Sequence, residues 1–155
     1  MIVLKSGGQS GVDRAALDAA LELGIRCGGW CPKGRRAEDG PIDLKYPLKE
    51  HSSSGYLERT LENILDSDGT LILESDCLTG GTKQTKVLAE ENCKPFLVIN
   101  PNDISKVKDV VNWINMFSIS EMNIAGPRES KRPGIHSASV KFLKAVITRL
   151  KDEVK

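Results

Sequence analysis

The sequence predicts an α/β fold, in which a parallel sheet is covered on both faces by helices. Short apolar runs alternate along the chain with stretches of helical periodicity, a pattern typical of strand–helix–strand units. The chain of 155 residues fits one domain, and it can bury about two-thirds of its unfolded surface without disulfides. Its composition, 39% hydrophobic and 28% charged, is ordinary for a globular domain.

The first half of the chain predicts two strands separated by a helix. Residues 2–6 form an apolar run that ends in glycines, as a strand would. Apolar residues at helical spacing follow over 12–23, and their alanines would let the helix lie close to a sheet. A weaker strand is expected at 27–30. The polar stretch 31–55 is too long for an ordinary connection, so we expect a functional or mobile loop there.

The second half of the chain continues the alternation. Helices are expected at about 57–65, 82–91, 104–117 and 140–154, and strands at 70–73, 95–99 and 122–125. With strands numbered along the chain, we expect a mainly parallel five-stranded sheet of order 2-1-3-4-5. Ligands of such open sheets bind where the strand order reverses, which would here be between the first and third strands.

Charge and hydropathy exclude several classes of protein. The 22 Lys and Arg residues nearly balance 21 Asp and Glu residues, which argues against nucleic-acid binding driven by bulk charge. No apolar run approaches the length of a membrane helix, and no signal peptide is recognisable. We therefore expect a cytoplasmic protein without a membrane partner. Its four cysteines, Cys27, Cys31, Cys77 and Cys93, are expected to be reduced and mostly buried.

A glycine-rich loop follows the first predicted strand. It consists of Gly7, Gly8, Gln9, Ser10 and Gly11, with Asp13 in the helix behind it. Backbone N–H groups at such a helix N-terminus favour an anion. A tight turn capped by Ser10 or Asp13 is the alternative, but three glycines exceed what a cap requires. No Gly-Lys-Ser/Thr follows, and no acidic residue ends the second strand, so neither a Walker loop nor an NAD-binding site is expected.

A second loop of the same kind follows the third predicted strand. It runs through Thr79, Gly80, Gly81 and Thr82, and again opens a helix. A simple cap by Thr82 would also explain this loop. If the two loops meet at the point where the strand order reverses, they can bind the two ends of a phosphorylated or otherwise anionic small molecule.

Basic side chains near the same edge of the sheet could cover such an anion. The candidates are Lys33, Arg35, Arg36 and Arg128. Arginine suits two-pronged recognition of oxyanions. The alternative is a solvated loop in which these residues pair with Glu38 and Asp39. No order of catalytic residues and no metal-ligand cluster is recognisable, so no catalytic or metal-binding residue is predicted.

Several blocks of the sequence resemble the molybdenum carrier family, whose name comes from a protein that binds molybdenum cofactor. Residues 7–18 resemble its opening motif, and 28–42 resemble a highly specific second block. Further matches are Arg59-Thr60, 66–68, 79–82, 125–130 and 133–135. Ser10 stands where the family usually has threonine. The resemblance implies a Rossmann-like three-layer fold related to lysine-decarboxylase-like phosphoribohydrolases and DprA, a homo-oligomer (dimer or tetramer), and molybdenum cofactor (molybdopterin) as a candidate ligand.

These observations leave three functions open. The leading hypothesis is a binding or carrier protein for a phosphate-bearing, nucleotide-like ligand, with molybdenum cofactor as the family's candidate. The second is an enzyme that cleaves nucleoside monophosphates. Its relatives use a Pro-Gly-Gly-x-Gly-Thr-x-x-Glu motif, whereas this loop is shorter, lacks the proline and has Thr85 in the glutamate position. Glu38 or Asp39 would then have to supply the carboxylate. The third is a sensor that signals through its oligomer.

Overall fold

The computed structural model describes residues 1–155, in which strands and helices alternate. Its strands are β1 (Val3–Lys5), β2 (Cys27–Gly28), β3 (Trp30–Cys31), β4 (Lys49–Glu50), β5 (Gly69–Leu73), β6 (Phe96–Ile99) and β7 (Glu121–Ala125). Its helices are α1 (Val12–Glu22), α2 (Tyr56–Leu65), α3 (Gly80–Glu91), α4 (Val107–Met116) and α5 (Ile135–Glu153). A short 3-10 helix, Ile104–Lys106, leads into α4.

The main sheet has five parallel strands in the order β2-β1-β7-β5-β6. The predicted fold class is therefore confirmed, whereas the predicted order 2-1-3-4-5 is wrong. The last strand, β7, lies between β1 and β5 instead of at the edge. Burial gives the physical reason: Met122 to Ala125 of β7 are buried, whereas Val98 of the edge strand β6 is 37% exposed.

Helices cover both faces of this sheet. On one face, α1, α4 and α5 pack together over a core of 22 buried residues that includes Leu4, Met122 and Phe142. Ala16 and Ala19 of α1 are fully buried, as expected for a helix that lies close to a sheet. The other face carries α2 and α3. The three layers place the carboxyl ends of all five strands at one edge.

The segment 31–55 has its own strands and packs against the rest of the structure. Strands β3 and β4 pair in parallel, with Trp30 opposite Lys49. A second hydrophobic cluster anchors the segment to α1, and it comprises Leu17, Cys31, Ala37, Ile42 and Tyr46. The side chain of Arg35 donates hydrogen bonds to carbonyl oxygens within the segment.

Two expectations about the surface can be compared with the structure. All four cysteines are free thiols. Cys31 is buried and Cys27 half-buried, but Cys77 and Cys93 are exposed, so the expectation of mostly buried thiols is wrong for two of the four. None of the helices has the length and apolar character needed to cross a membrane.

Candidate functional site

A polar cleft lies at the carboxyl edge of the sheet, beneath the N-terminus of α3. Gly80, Gly81 and Thr82 line it on one side, and Gln9 and Asp13 line it on the other. Ala125, the last residue of β7, and residues 126–128 after it also line the cleft. The centre of a water molecule can move through about 160 Å³ of this space. The cleft thus joins residues of both glycine-rich loops, although β7 separates their parent strands.

The N-terminus of α3 has free hydrogen-bond donors. Thr79 precedes it in an extended conformation and provides no side-chain cap. The first backbone N–H group with an acceptor is that of Lys83, which donates to Thr79 O, so the N–H groups of residues 80–82 have no partner within the protein. The first turn has no acidic residue, and a Cβ atom on Gly81 would meet nothing within 4 Å. These features make the helix end an available anion site.

Lys131 adds a second positive charge at the same helix end. Its Nζ atom lies 3.3 Å from where a Cβ atom on Gly80 would be, and it has no acidic partner within 4.0 Å. The ammonium and the helix end are both exposed and solvated by water, and an anion between them would interact favourably with each. Arg128, predicted as a candidate, also lines the cleft; its side chain is 50% exposed, and its nearest acid is Glu38, 3.9 Å away.

Arg59 of α2 is a site residue that residue-level reasoning missed. Its guanidinium covers Gly7 so closely that a Cβ atom there would overlap it. Nη2 lies 3.4 Å from Asp13 Oδ2, and Nη1 donates to Thr60 Oγ1 at 2.8 Å. Nε is buried and has no partner. The available signal was a basic residue next to buried Thr60 on an amphipathic helix, together with the resemblance that singled out Arg59-Thr60.

The first glycine-rich loop uses most of its backbone N–H groups internally, which corrects the expectation that they are free. Gly8 N donates to Ser6 Oγ, Gln9 N to Asp13 Oδ2, Ser10 N to Gln9 Oε1 and Val12 N to Pro127 O. Its glycines allow close packing instead. A Cβ atom on Gly8 would strike Ile42 and Leu48, and one on Gly11 would strike the backbone of 127–129. Gly7, Gly8, Ser10 and Gly11 therefore shape the wall, while Gln9 lines the cleft.

Glu38 joins three loops outside the cleft. It accepts hydrogen bonds from Ser10 Oγ and from Ser130 Oγ, the latter at 2.6 Å. Burial opposes ionisation, but these hydrogen bonds and nearby Arg128 outweigh it and hold the pKa of Glu38 below its usual value. Asp39 is held by a two-pronged pair with Arg14 at 2.9 and 3.1 Å. Neither carboxylate lines the cleft, so neither is placed to serve the hydrolase alternative.

The predicted basic cover lies beside the cleft and does not line it. Arg35 donates to the carbonyl oxygens of Ile42, Asp43 and Tyr46 at 2.7–3.0 Å, which makes it an organiser of its own segment. Arg36 places its guanidinium 4.4 Å from the ring centre of Tyr56, a residue at the mouth of the cleft. Lys33 is exposed. None of the three lines the cleft, and Arg36 comes nearest to it through its contact with Tyr56. That they cover a ligand stays a prediction.

Asp13 is the acidic residue of the cleft. Its burial raises its pKa, although Arg59 and the Gln9 N–H group act in the opposite direction. The cleft therefore combines three basic side chains (Arg59, Arg128 and Lys131) with one buried carboxyl group. Such a site can bind a small oxyanion next to a group that can hold a proton.

Fold and site together define the class: a Rossmann-like domain with an anion-suited cleft at the carboxyl edge of its parallel sheet. Residues 4–147 match the model of the Circularly permutated YpsA SLOG family, and the chain belongs to that family. A permuted order of elements agrees with the sheet, where the C-terminal strand β7 pairs with the N-terminal strand β1.

A solved structure supports the same assignment. The chain is 43% identical to a crystal structure described as "Putative molybdenum carrier protein" from Syntrophus aciditrophicus SB, with 95% of each chain covered and a TM-score of 0.89. The resemblance to the molybdenum carrier family is thereby confirmed. Among curated proteins, no significant match is found.

Proposed function

We propose that the protein binds a small phosphate-bearing ligand, with the phosphate at the N-terminus of α3. One observation carries the proposal: the unpartnered N–H groups of residues 80–82 lie beside the unpaired ammonium of Lys131. An oxyanion bound at this helix end would accept hydrogen bonds from the N–H groups and form an ion pair with Lys131. Arg59 also lines the cleft and adds positive charge there.

The dimensions of the cleft bear on the ligand's size. Its volume of about 160 Å³ is close to that of an engineered cavity, about 150 Å³, that binds benzene. A space of this size accommodates a phosphate group. The rest of a nucleotide-like ligand would extend toward Tyr56, where the exposed guanidinium of Arg36, which lies against the Tyr56 ring, offers a planar surface for stacking a flat heterocycle.

Molybdenum cofactor is the specific ligand that we propose. The 43% identical relative is described as a molybdenum carrier protein. This cofactor is a pterin with a terminal phosphate, so its phosphate suits the helix end and its flat ring system suits the mouth. In this proposal the protein is a carrier, the cofactor is its cargo, and the carrier is a homo-oligomer in the cytoplasm.

Calorimetric titration with a nucleoside monophosphate tests the binding site. Gly81→Val would place a branched side chain in the cleft without backbone strain, because a Cβ atom on Gly81 meets nothing and its φ is not positive. We expect Gly81→Val and Lys131→Ala each to weaken binding at least tenfold. Lys33→Ala is the matched control, since it removes a lysine that lies outside the cleft, and it should bind like wild type. Wild-type affinity in both cleft variants would contradict the proposal.

Native mass spectrometry of protein purified from its own cells tests the cargo and the assembly together. We expect a retained phosphate-bearing small molecule, with the mass of molybdenum cofactor if the specific proposal is correct, on a dimer or tetramer. A monomer would contradict the proposed oligomer. Release of free base from nucleoside monophosphates, lost in Glu38→Ala, would support the enzyme hypothesis against the carrier.

A further inference from the structure

Asp13 is a carboxylate in a cleft that otherwise collects positive charge. Its side chain is 5% exposed, and the residue lines the cleft together with Arg59, Arg128 and Lys131. Oδ2 accepts from Gln9 N at 3.4 Å and lies 3.4 Å from Arg59 Nη2. The backbone N–H group of Gly7 is a further hydrogen-bond donor to this carboxyl group. An ionised carboxylate has about four acceptor positions, so these three partners leave one free beside the space in which the proposed function puts the ligand's phosphate.

Two ionised oxyanions that share a narrow, partly desolvated space repel each other. A single proton between them replaces the repulsion with a charge-assisted hydrogen bond. A phosphate monoester can provide or keep that proton near neutral pH, because its second pKa is about 6. A sulfate group is fully ionised throughout this range and provides no proton. A carboxylate beside an anion site therefore discriminates between these two tetrahedral anions.

We propose that Asp13 is a specificity-determining residue that makes the cleft select phosphate-type ligands, which share one proton with its carboxyl group, over sulfate-type ligands. This inference rests on the proposed function and adds the chemical class of anion. The selection requires an ionised Asp13, which accepts the proton of a phosphate and has none to give to a sulfate. Burial raises the pKa of Asp13, so the selection should weaken at acid pH, where a protonated Asp13 can donate to either anion.

None of the other charged groups around Asp13 is expected to gain or lose a proton near neutral pH. Arg59 faces it from α2 and Arg14 from its own helix, while Arg128 and Lys131 face the cleft from the segment after β7. Arginine side chains keep their charge at all physiological pH values. No histidine lines the cleft. A pH dependence of anion binding is therefore expected to come from Asp13 and the phosphate group.

Calorimetry with inorganic phosphate and inorganic sulfate as probes tests the inference. Wild-type protein should bind phosphate at least tenfold more tightly than sulfate at neutral pH. Asp13→Asn keeps the size of the side chain but removes its charge, so the preference should fall below threefold, mainly through a gain in sulfate affinity. Asp39→Asn is the matched control, because Asp39 pairs with Arg14 outside the cleft, and it should retain the wild-type preference.

The pH dependence of sulfate affinity gives a second readout. Inorganic phosphate brings its own proton at neutral pH, whereas sulfate can share one only after Asp13 itself is protonated. The raised pKa of Asp13 makes this protonation accessible, so the wild-type affinity for sulfate should rise as pH falls from about 8 to about 5, and that of Asp13→Asn should not. Equal wild-type affinity for the two anions, or an unchanged preference in Asp13→Asn, would overturn the inference and leave the proposed function intact. Failure of wild type to bind either anion at millimolar concentration would overturn both. If Asp13→Asn does not fold, the wild-type ratio and its pH dependence decide.

Discussion

Replacing Arg35 with alanine should destabilise the fold while leaving phosphate binding almost unchanged. The guanidinium donates to the carbonyl oxygens of Ile42, Asp43 and Tyr46 at 2.9, 2.7 and 3.0 Å, and it reaches Leu48 O at 3.4 Å. It thereby holds the segment between β3 and β4 in place. The side chain does not line the cleft.

The size of the effect follows from these bonds. A hydrogen bond from a charged donor is worth about 1.5–3 kcal/mol. Since Arg35 is only half-buried, water can replace some of these hydrogen bonds in the variant. We therefore expect the free energy of unfolding to fall by about 2–4 kcal/mol in total. For a chain of this length, that lowers Tm by about 4–16 °C. The φ of Arg35 is +55°, so Arg35→Gly should be less destabilised than Arg35→Ala by about 0.5 kcal/mol.

Thermal and urea unfolding, followed by circular dichroism, measure the loss, and calorimetry measures binding. Arg35→Lys keeps the charge but loses the planar fork, so its stability should lie between those of wild type and Arg35→Ala. An alanine variant that melts within about 1 °C of wild type would refute the structural role. If that variant also bound phosphate weakly, Arg35 would be a ligand contact, as the sequence suggested.

Two further predictions concern the walls of the site. Gly7→Ala should weaken phosphate binding at least fivefold in calorimetry, because the new Cβ atom displaces the guanidinium of Arg59. Gly28→Ala is the control, since its Cβ atom makes only an ordinary 3.4 Å contact. Equal phosphate affinities of Gly7→Ala and wild type would contradict the prediction. Glu38→Gln should lose less stability than wild type as the pH is lowered. Because hydrogen bonds lower the pKa of Glu38, its contribution to the free energy of unfolding is complete above the usual value of 4.5 and is lost as pH falls below it. If the free energy of unfolding, measured in urea, falls equally with pH in wild type and variant, the assignment is contradicted.

The fold class was predictable from sequence, whereas the order of strands was not. Alternating strand and helix patterns indicate parallel pairing, because each helix returns the chain to the same edge. These patterns do not indicate at which position a strand enters the sheet. The insertion of β7 between β1 and β5 depends on its burial by α1 and α5 and on the exposure of β6. Such contacts join elements that are distant in the sequence, so a local pattern does not predict them.

The two glycine-rich loops show how far a local pattern reaches. Glycines at 80 and 81 indicate an open helix end, and that is what the structure has. Glycines at 7, 8 and 11 indicate close approach equally well, but the approaching atoms belong to the protein itself. Sequence identifies the close approach and not its partner. Arg59 and Lys131 join the site through the packing of α2 and of the segment after β7, which no local pattern specifies.

A crystal structure of the protein with phosphate, or with a nucleoside monophosphate, tests the central claim most directly. The account predicts the phosphate at the start of α3, within hydrogen-bond distance of the N–H groups of Gly81 and Thr82 and of Lys131 Nζ. A phosphate bound instead against Lys33 and Arg36, with the first turn of α3 free of ligand, would contradict it.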